Sequence, residues 1–438
     1  MKNPKCPTLF SLLLSTIGFL QAQPSENWPH WRGPNQNGVS ETANPPITWS
    51  HETNVEWSLL IPGSGSSTPI VWDKRMYTLS AEKLDKTASE PFKKADSALT
   101  EPPTHFYQLL LHCIHLETGK RLWTKVVDEI LPHEGHHQTH TYAGGSPTTD
   151  GNHLYVSFGS FGLYCFDMEG HQKWKRSFGR MRTRRGWGEA NTPALSLNNS
   201  RLLVPWDHED ESFLYCLDAK TGSTIWKVQR DEPSNWSTPV LLRNGTEEQV
   251  VLNGTQRARG YNLEAGEVIW EMGELSVNAI PTPLFDEDHI YCMSGYRKTV
   301  VYAIPRSARG DLTETAKVTW SYDRNTPYVA SPLLYQGILY MTRQRSTRLT
   351  TLRARDGQLF QEAEQIEGLS DIYASPVAAA GRLYFIDRRG TTAVLEAGKT
   401  PRVLSVNKLN DTVDASPLLI GNQIYIRSWN RIYCLKES

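Results

Sequence analysis

Residues 331–340 read SPLLYQGILY, and the phrase returns along the chain: Ser/Thr-Pro, a few apolar residues, usually a turn, then Ile/Leu/Met-Tyr. It occurs as STPIVWDKRMY ending at Tyr77, SPTTDGNHLY at Tyr155, TPLFDEDHIY at Tyr291, SPVAAAGRLY at Tyr384 and SPLLIGNQIY at Tyr425, with degenerate copies at Thr192-Pro193 and Thr238-Pro239. The eight prolines, Pro69, Pro147, Pro193, Pro239, Pro283, Pro332, Pro376 and Pro417, are separated by 78, 46, 46, 44, 49, 44 and 41 residues. A period in the forties with four short strands per unit is that of a propeller blade.

Each unit supplies those strands. The Ser/Thr-Pro run is strand A, the run ending near Tyr is B, and a segment such as FLYCLDA is C. Strand D ends in Trp after a Gly-containing turn, as in TGKRLW (Trp123), EGHQKW (Trp174), TGSTIW (Trp226) and AGEVIW (Trp270). Alternation of Val, Ile, Leu and Tyr makes half-buried strands. Gly permits the positive φ of a tight turn, proline at the head of strand A sacrifices no ladder bond, and an indole suits the gap between blades. The chain opens on a D-type strand at Trp57 and ends on a C-type strand at 431–435. The first strand can therefore complete the last blade, which closes the ring and removes its edges. The expected fold is all-β: an eight-bladed propeller of four-stranded blades, closed by pairing of N- and C-terminal strands.

Composition bounds the rest. The 438 residues carry 46 Lys+Arg and 47 Asp+Glu, a net charge of −1, which gives no general attraction to nucleic acid. Lys2 and Lys5, an apolar stretch over Leu9–Leu20 and the small Ala22 read as a secretory signal over residues 1–22, too short to span a membrane. A soluble protein exported to the periplasm or beyond is expected, with an N-terminal extension over 23–54 and the propeller over 55–438. A closed ring has no need of a second copy, so a monomer is expected. Cys113, Cys165, Cys216 and Cys434 share one repeat position, too far apart for bridging, and no C-x-x-C is present.

The opening NWPHWRGPNQNGVS, and then VSFGSFGLYCFDMEG, RRGWGEANTP, DEPSNWSTP and MSGYRKTVVYAI, resemble segments met in that order in pyrroloquinoline-quinone (PQQ) type repeat propellers, closest to exported bacterial PQQ-binding-like repeat proteins and related to outer-membrane assembly propellers. The resemblance covers essentially the whole mature chain. It implies the fold; activity depends on the site grafted onto it.

Three long connections fall on the face that carries the D-to-A and B-to-C turns: an insertion over 82–105, and the stretches 128–145 and 175–191. The turns of the opposite face are expected to be short. Binding usually resides in such loops. HEGHHQTH at 133–140 holds His133, His136, His137 and His140, which could ligate a transition metal or simply bond to backbone. The resemblance places a family His and Tyr at His137 and Tyr142. The second loop carries Arg176, Arg180, Arg182, Arg184 and Arg185 before Trp187, a pattern that can clamp an anion, or whose charges can answer the acidic stretch 207–211. Residues just before each strand A should ring the mouth of the central channel: Asn191, Asn235, Trp236, Asn278, Tyr328, Asp371, Tyr373 and Asp414. Of these, all but Asn278 and Asp371, together with His137, His140, Tyr142, Arg184, Arg185, Trp187 and Tyr296, are the candidate ligand-binding residues.

These features point to a non-catalytic exported propeller that binds or scaffolds a protein or glycan partner through the long-loop face. No G-x-S-x-G, H-E-x-x-H or P-loop occurs. The resemblance implies an alternative, a PQQ-dependent alcohol or sugar dehydrogenase with Ca²⁺, in which Arg184, Arg185, Trp187 and Trp236 would face the quinone. The adjacent Cys-Cys pair common in such enzymes is missing, and calcium ligands cannot be placed by motif. The Arg/Trp loop also suits a sulfated polymer.

Overall fold

The computed structural model describes residues 27–343 and 346–437; the segment read as a secretory signal lies outside them. Eight sheets form the blades, at residues 70–130, 148–176, 194–230, 240–272, 284–322, 333–365, 377–408 and, for the eighth, 418–436 joined by Val55–Leu60. As the order of repeat copies predicts, Val55–Leu60 pairs antiparallel with Arg431–Lys436 and closes the ring. Arg427 reinforces this seam. Its fully buried guanidinium donates to Thr78 Oγ1 (2.6 Å) and to the Leu79 (2.7 Å) and Gly65 (3.3 Å) carbonyls of blade 1.

The Ser/Thr of the recurring phrase has a specific task. Thr68 N–H donates to Ser146 Oγ and Ser146 N–H to Thr192 Oγ1, each at 3.0 Å. Thr282 donates to Ser331, Ser331 to Ser375, Ser375 to Ser416, and Ser416 back to Thr68, at 2.9–3.1 Å. Six backbone-to-hydroxyl bonds thus link seven of the eight strand heads in an open hoop, Thr238 standing outside it, and join neighbouring inner strands that are too splayed to pair as a sheet. A hydroxyl is the side chain that can accept there while its residue starts a strand.

The outer rim repeats a second joint. Trp57, Trp174, Trp226 and Trp320 each donate from Nε1 to a carbonyl of the next blade, at Leu116 (3.0 Å), Ala219 (3.2 Å), Leu263 (2.8 Å) and Ala354 (2.8 Å). The glycine four residues before a Trp has positive φ, as a tight turn requires, yet the ring it lies against belongs to the preceding blade. A Cβ on Gly222 would come within 2.8 Å of Trp174, and one on Gly119 within 2.5 Å of Trp57. The cysteines Cys113, Cys165, Cys216 and Cys434 stand opposite Trp123, Trp174, Trp226 and Trp57 in register, and all five described cysteines are buried and free.

Two expectations need correction. The turns of the opposite face are not uniformly short: blade 5 has a long C-to-D connection over 306–319, whose Gly310–Asp311 lies parallel to the outer strand of blade 4. This covers Trp270, which is fully buried and bonds to Gln249 of its own blade instead of to the next one. From residue 28 on, the stretch read as an extension before the propeller packs onto the ring. Trp28 pairs with Val71, Pro29 O accepts from Thr149 N–H, Gln36 bonds both ways with Leu241, and Val39 bridges Ala378. Residues 28–39 therefore cross the inside of the ring one to three positions beyond the hoop and seal that end of the channel.

Candidate functional site

Sealing one end leaves a blind axial cup of about 480 Å³. Trp31 lies at its floor, and the hydroxyl residues Thr68, Ser146, Thr192, Thr238, Thr282, Ser331, Ser375 and Ser416 circle its base. The walls come mostly from D-to-A connections: His137, Thr139, His140, Trp187, Trp236, Ile280, Tyr328, Val329, Tyr373 and Asp414, with Tyr296 from a B-to-C turn. The recurring phrase builds this cavity indirectly, because fixing each strand head in the hoop points the residue two to five positions earlier at the axis.

Most aromatic and charged wall residues are braced. Trp236 Nε1 donates to the Gly188 carbonyl (2.8 Å), and Trp187 meets His137 edge-on with centroids 6.0 Å apart. Tyr296 and Tyr328 stack at 4.9 Å. Arg388 lies 4.7 Å over the Tyr373 ring and grips Asp414 through Nε (2.6 Å) and a terminal nitrogen (3.2 Å), while Trp429 Nε1 donates to the same carboxylate (2.7 Å). Burial pushes His140 down to about 4, so it is neutral near pH 7, and its Nε2–H donates to the Glu189 carbonyl (2.9 Å). Among the described residues no Lys or Arg lines the cup, and Asp414 is its only carboxylate. Trp31 Nε1 and Thr282 Oγ1 are buried polar atoms of the lining with no protein partner.

The thirteen sequence candidates divide on this geometry. His137, His140, Trp187, Trp236, Tyr296, Tyr328, Tyr373 and Asp414 share the cup. Asn191 and Asn235 are buried strand-end braces: Asn191 donates to the Pro205 carbonyl, and Asn235 to Asp207 and the Asn253 carbonyl. Tyr142 packs behind the wall against Tyr107 and His136, its hydroxyl donating to the Glu134 carbonyl. Exposed Arg185 lies 5.8 Å from the Trp187 ring, and its φ of 55° kinks the chain there; Arg184 is held through its backbone by Ser234. Asn278, also read as a mouth residue, is buried and donates to the Tyr328 hydroxyl.

The four histidines scatter. His133 contacts the Met181 carbonyl, His136 the His137 carbonyl, His137 the Thr139 hydroxyl and His140 the Glu189 carbonyl. No group of three or more His, Cys, Asp or Glu able to hold a metal ion occurs among the described residues. The acidic stretch 207–211 is answered in two ways: Arg182 pairs with Asp210 (2.6 Å), whereas Asp207 is buried against Arg230 (2.8 Å). Trp31, Arg388 and Trp429 were missed as site residues. Trp31 lies more than 100 residues from every residue of the wall, and no local pattern marks it.

A family model described as outer membrane protein assembly factor BamB matches residues 108–271 and 210–438, well over half of the chain. No curated protein matches it. Among solved structures, BamB from Moraxella catarrhalis superposes with a TM-score of 0.53 at 12% identity, covering 82% of this chain and 98% of its own. Quinohemoprotein alcohol dehydrogenase from Comamonas testosteroni gives 0.61 at 10% identity, covering 94% and 81%. The computationally designed Ika8 protein gives 0.56 at 12% identity, covering 87% and 99%. At these identities the structures share the fold alone, whereas the family model reads the repeats themselves: the chain belongs to the BamB-type family of PQQ-repeat β-propellers.

Proposed function

We propose that this is an exported, non-catalytic glycan-binding propeller whose axial cup takes up a sugar unit. The observation that carries this reading is the cup's lining. Aromatic faces at Trp187, Trp236, Tyr296, Tyr328 and Tyr373 stand above a base of hydroxyls, with one fixed carboxylate at Asp414 and unpartnered polar atoms at Trp31 and Thr282. Flat rings match the apolar faces of a pyranose, and the small polar groups match its hydroxyls. Export rests on the basic and apolar leader of residues 1–22; no helix among the described residues is long and apolar enough to cross a membrane.

PQQ fits this lining poorly. Its three carboxylates would meet no free cation on the wall, because no Lys or Arg lines the cup and Arg388 behind it is already committed to Asp414. Calcium seeks six to eight oxygen ligands, yet the cup offers a single carboxylate, both of whose oxygens already accept from Arg388 and Trp429. We therefore derive no step through the quinone.

Calorimetric titration and tryptophan fluorescence against neutral tetrasaccharides (cello-, laminari- and agaro-series) test the reading. Saturable binding, weakened about tenfold in Trp187→Ala and Trp236→Ala, is expected, since each truncation removes apolar contact area worth about 25 cal/mol per Å². Tight binding of PQQ with Ca²⁺, and none of any saccharide, would overturn it. A second reading, docking of a protein on the same face, is favoured by the insertion there, where Leu99 is 64% exposed, and by the family description. Deletion of 88–104 would abolish such docking and leave binding of neutral saccharides in the cup intact.

A further inference from the structure

The long-loop face carries a second cavity. The insertion's hairpin, Arg75–Thr87 with His105–His115, lifts residues 88–104 against the loop 175–191. The two loops are bonded together: Leu99 N–H donates to the Arg185 carbonyl (2.8 Å), Thr100 Oγ1 to the Gly186 carbonyl (2.5 Å), and Arg182 to Ser97 Oγ (3.4 Å). Between them lies a cleft of about 160 Å³ lined by Lys93, Lys94, Arg180 and Arg182, with Glu134 and Asp210 on its acidic side.

Its charges do not cancel. Lys94 pairs with Glu101 (2.7 Å) and Arg182 with Asp210 (2.6 Å). Glu134 is spent on Thr183, accepting from its N–H (2.7 Å) and its hydroxyl (2.8 Å). Lys93 and Arg180 have no carboxylate partner among the described residues, and the Arg180 guanidinium lies over the Phe92 ring at 4.5 Å. The same loop continues through Arg184 and Arg185, likewise without carboxylate partners, to Trp187 on the cup wall. A run of four uncompensated cations thus leads from the cup's rim into a cleft built by two mutually bonded loops. Three of the four are arginines, whose planar fork matches the oxygens of sulfate or carboxylate.

Resting on the glycan reading above, we propose that the glycan is anionic: the unit in the cup is neutral, and Arg185, Arg184, Arg180 and Lys93 receive sulfate or carboxylate groups on the units that follow it. The cup offers these groups no unpaired cation, since its one carboxylate, Asp414, is already held by Arg388, and the cations stand where the chain must leave.

The test uses two pairs, each of one backbone: the desulfated κ-carrageenan tetrasaccharide, which is neutral, against the κ-carrageenan tetrasaccharide, and an unsulfated chondroitin tetrasaccharide, whose charges are carboxylates, against its sulfated form. The charged probes should bind about tenfold more tightly than the desulfated κ-carrageenan probe at low salt, and the advantage should fade as salt is raised. The double variant R184A/R185A should bring the ratio of charged to neutral affinity close to one, and Lys93→Ala should lower it in part. Thermal melts establish that each variant is folded, and the salt series is an independent readout on the unaltered protein. Equal, salt-independent affinities for charged and neutral probes would overturn this inference and leave the glycan reading standing. Binding of neither kind would overturn both. If the charged sugars bind through carboxylate alone, sulfation adds nothing in the chondroitin pair, and the two anion sources are distinguished.

Discussion

The guanidinium of Arg32 donates to the carbonyl oxygen of Pro376 at 2.7 Å, across 344 residues of sequence. Its other terminal nitrogen reaches the carbonyls of Asn37 (2.8 Å) and Pro332 (3.0 Å). Fully buried with no carboxylate beside it, the group is pushed down to about 9 by desolvation alone. Gly38 makes room for it, since a Cβ there would lie 2.6 Å from the guanidinium carbon. This single side chain ties the sealing segment to the inner strands of blades 6 and 7, and so gives the cup its floor.

Replacing Arg32 with Met would leave three carbonyls short of a buried donor. A loss of about 3 kcal/mol is expected, taking roughly 1 kcal/mol for each. Urea unfolding measures it. Limited proteolysis should in addition cut the variant first within residues 27–44, and an unchanged cleavage pattern would show that the segment is held by other contacts.

The hoop predicts an effect out of scale with the size of the change. Ser375→Ala removes one oxygen, yet it strands the buried Ser331 N–H that donates to it at 2.9 Å. Stability should fall by roughly 2 kcal/mol, while Ser375→Thr, which keeps the hydroxyl, stays near wild type. Equal stability of the Ala and Thr proteins would argue against a structural role for the hydroxyl.

Gly222 and Gly245 separate conformation from contact. Both have positive φ, 70° and 63°, but only Gly222 faces a neighbour, the Trp174 ring at 2.8 Å, whereas nothing lies within 4 Å of Gly245. Alanine at 245 should cost about 1 kcal/mol, the strain of the left-handed conformation. Alanine at 222 should cost about 2–3 kcal/mol, because the Trp174 joint must also open. Thermal melts of the pair decide the matter, and indistinguishable values would remove the contact from the account.

Acid should destabilise the protein well before its carboxylates titrate. Burial holds His140 at about 4, and His30 and His112 at about 3, against an ordinary value near 6.5. The unfolded chain takes up these protons near pH 6.5 and the folded one does not, so the stability they contribute is complete above that value and drains away as pH falls toward 4. Glu189 acts in the opposite sense. Burial raises it to about 8, so the folded state binds its proton more readily, and its contribution improves as pH falls from 8 toward 4.5. Three histidines against one carboxyl leave a net loss on the order of 3 kcal/mol between pH 7 and pH 5, at up to ~1.4 kcal/mol per group and pH unit. Glu189→Gln should steepen that loss, and a stability independent of pH over this range would contradict the assignment.

The sequence by itself determined the blade count, the strand order within each blade and the closure of the last blade by the first strand. These rest on local signals: Ser/Thr-Pro at a strand head, Tyr on the second strand and Trp after a glycine turn, repeated with a period that four short strands require. The same periodicity placed most of the cup's wall, since residues just ahead of each strand A converge on the axis. Tertiary structure alone decided what the repeated residues do. The glycine before Trp226 serves the Trp174 of another blade, the serines at 146, 331, 375 and 416 serve a neighbour's backbone, and Arg32 serves inner strands 300 and 344 residues away. Tertiary structure also separated Trp187 from Asn191 and Asn235, all of which stand near strand heads; only Trp187 faces the cup, while the two amides turn back into the blades. Periodicity records which face of a strand is buried. Which neighbour a side chain meets follows from closing the ring, and that contact leaves no mark at fixed spacing along the chain.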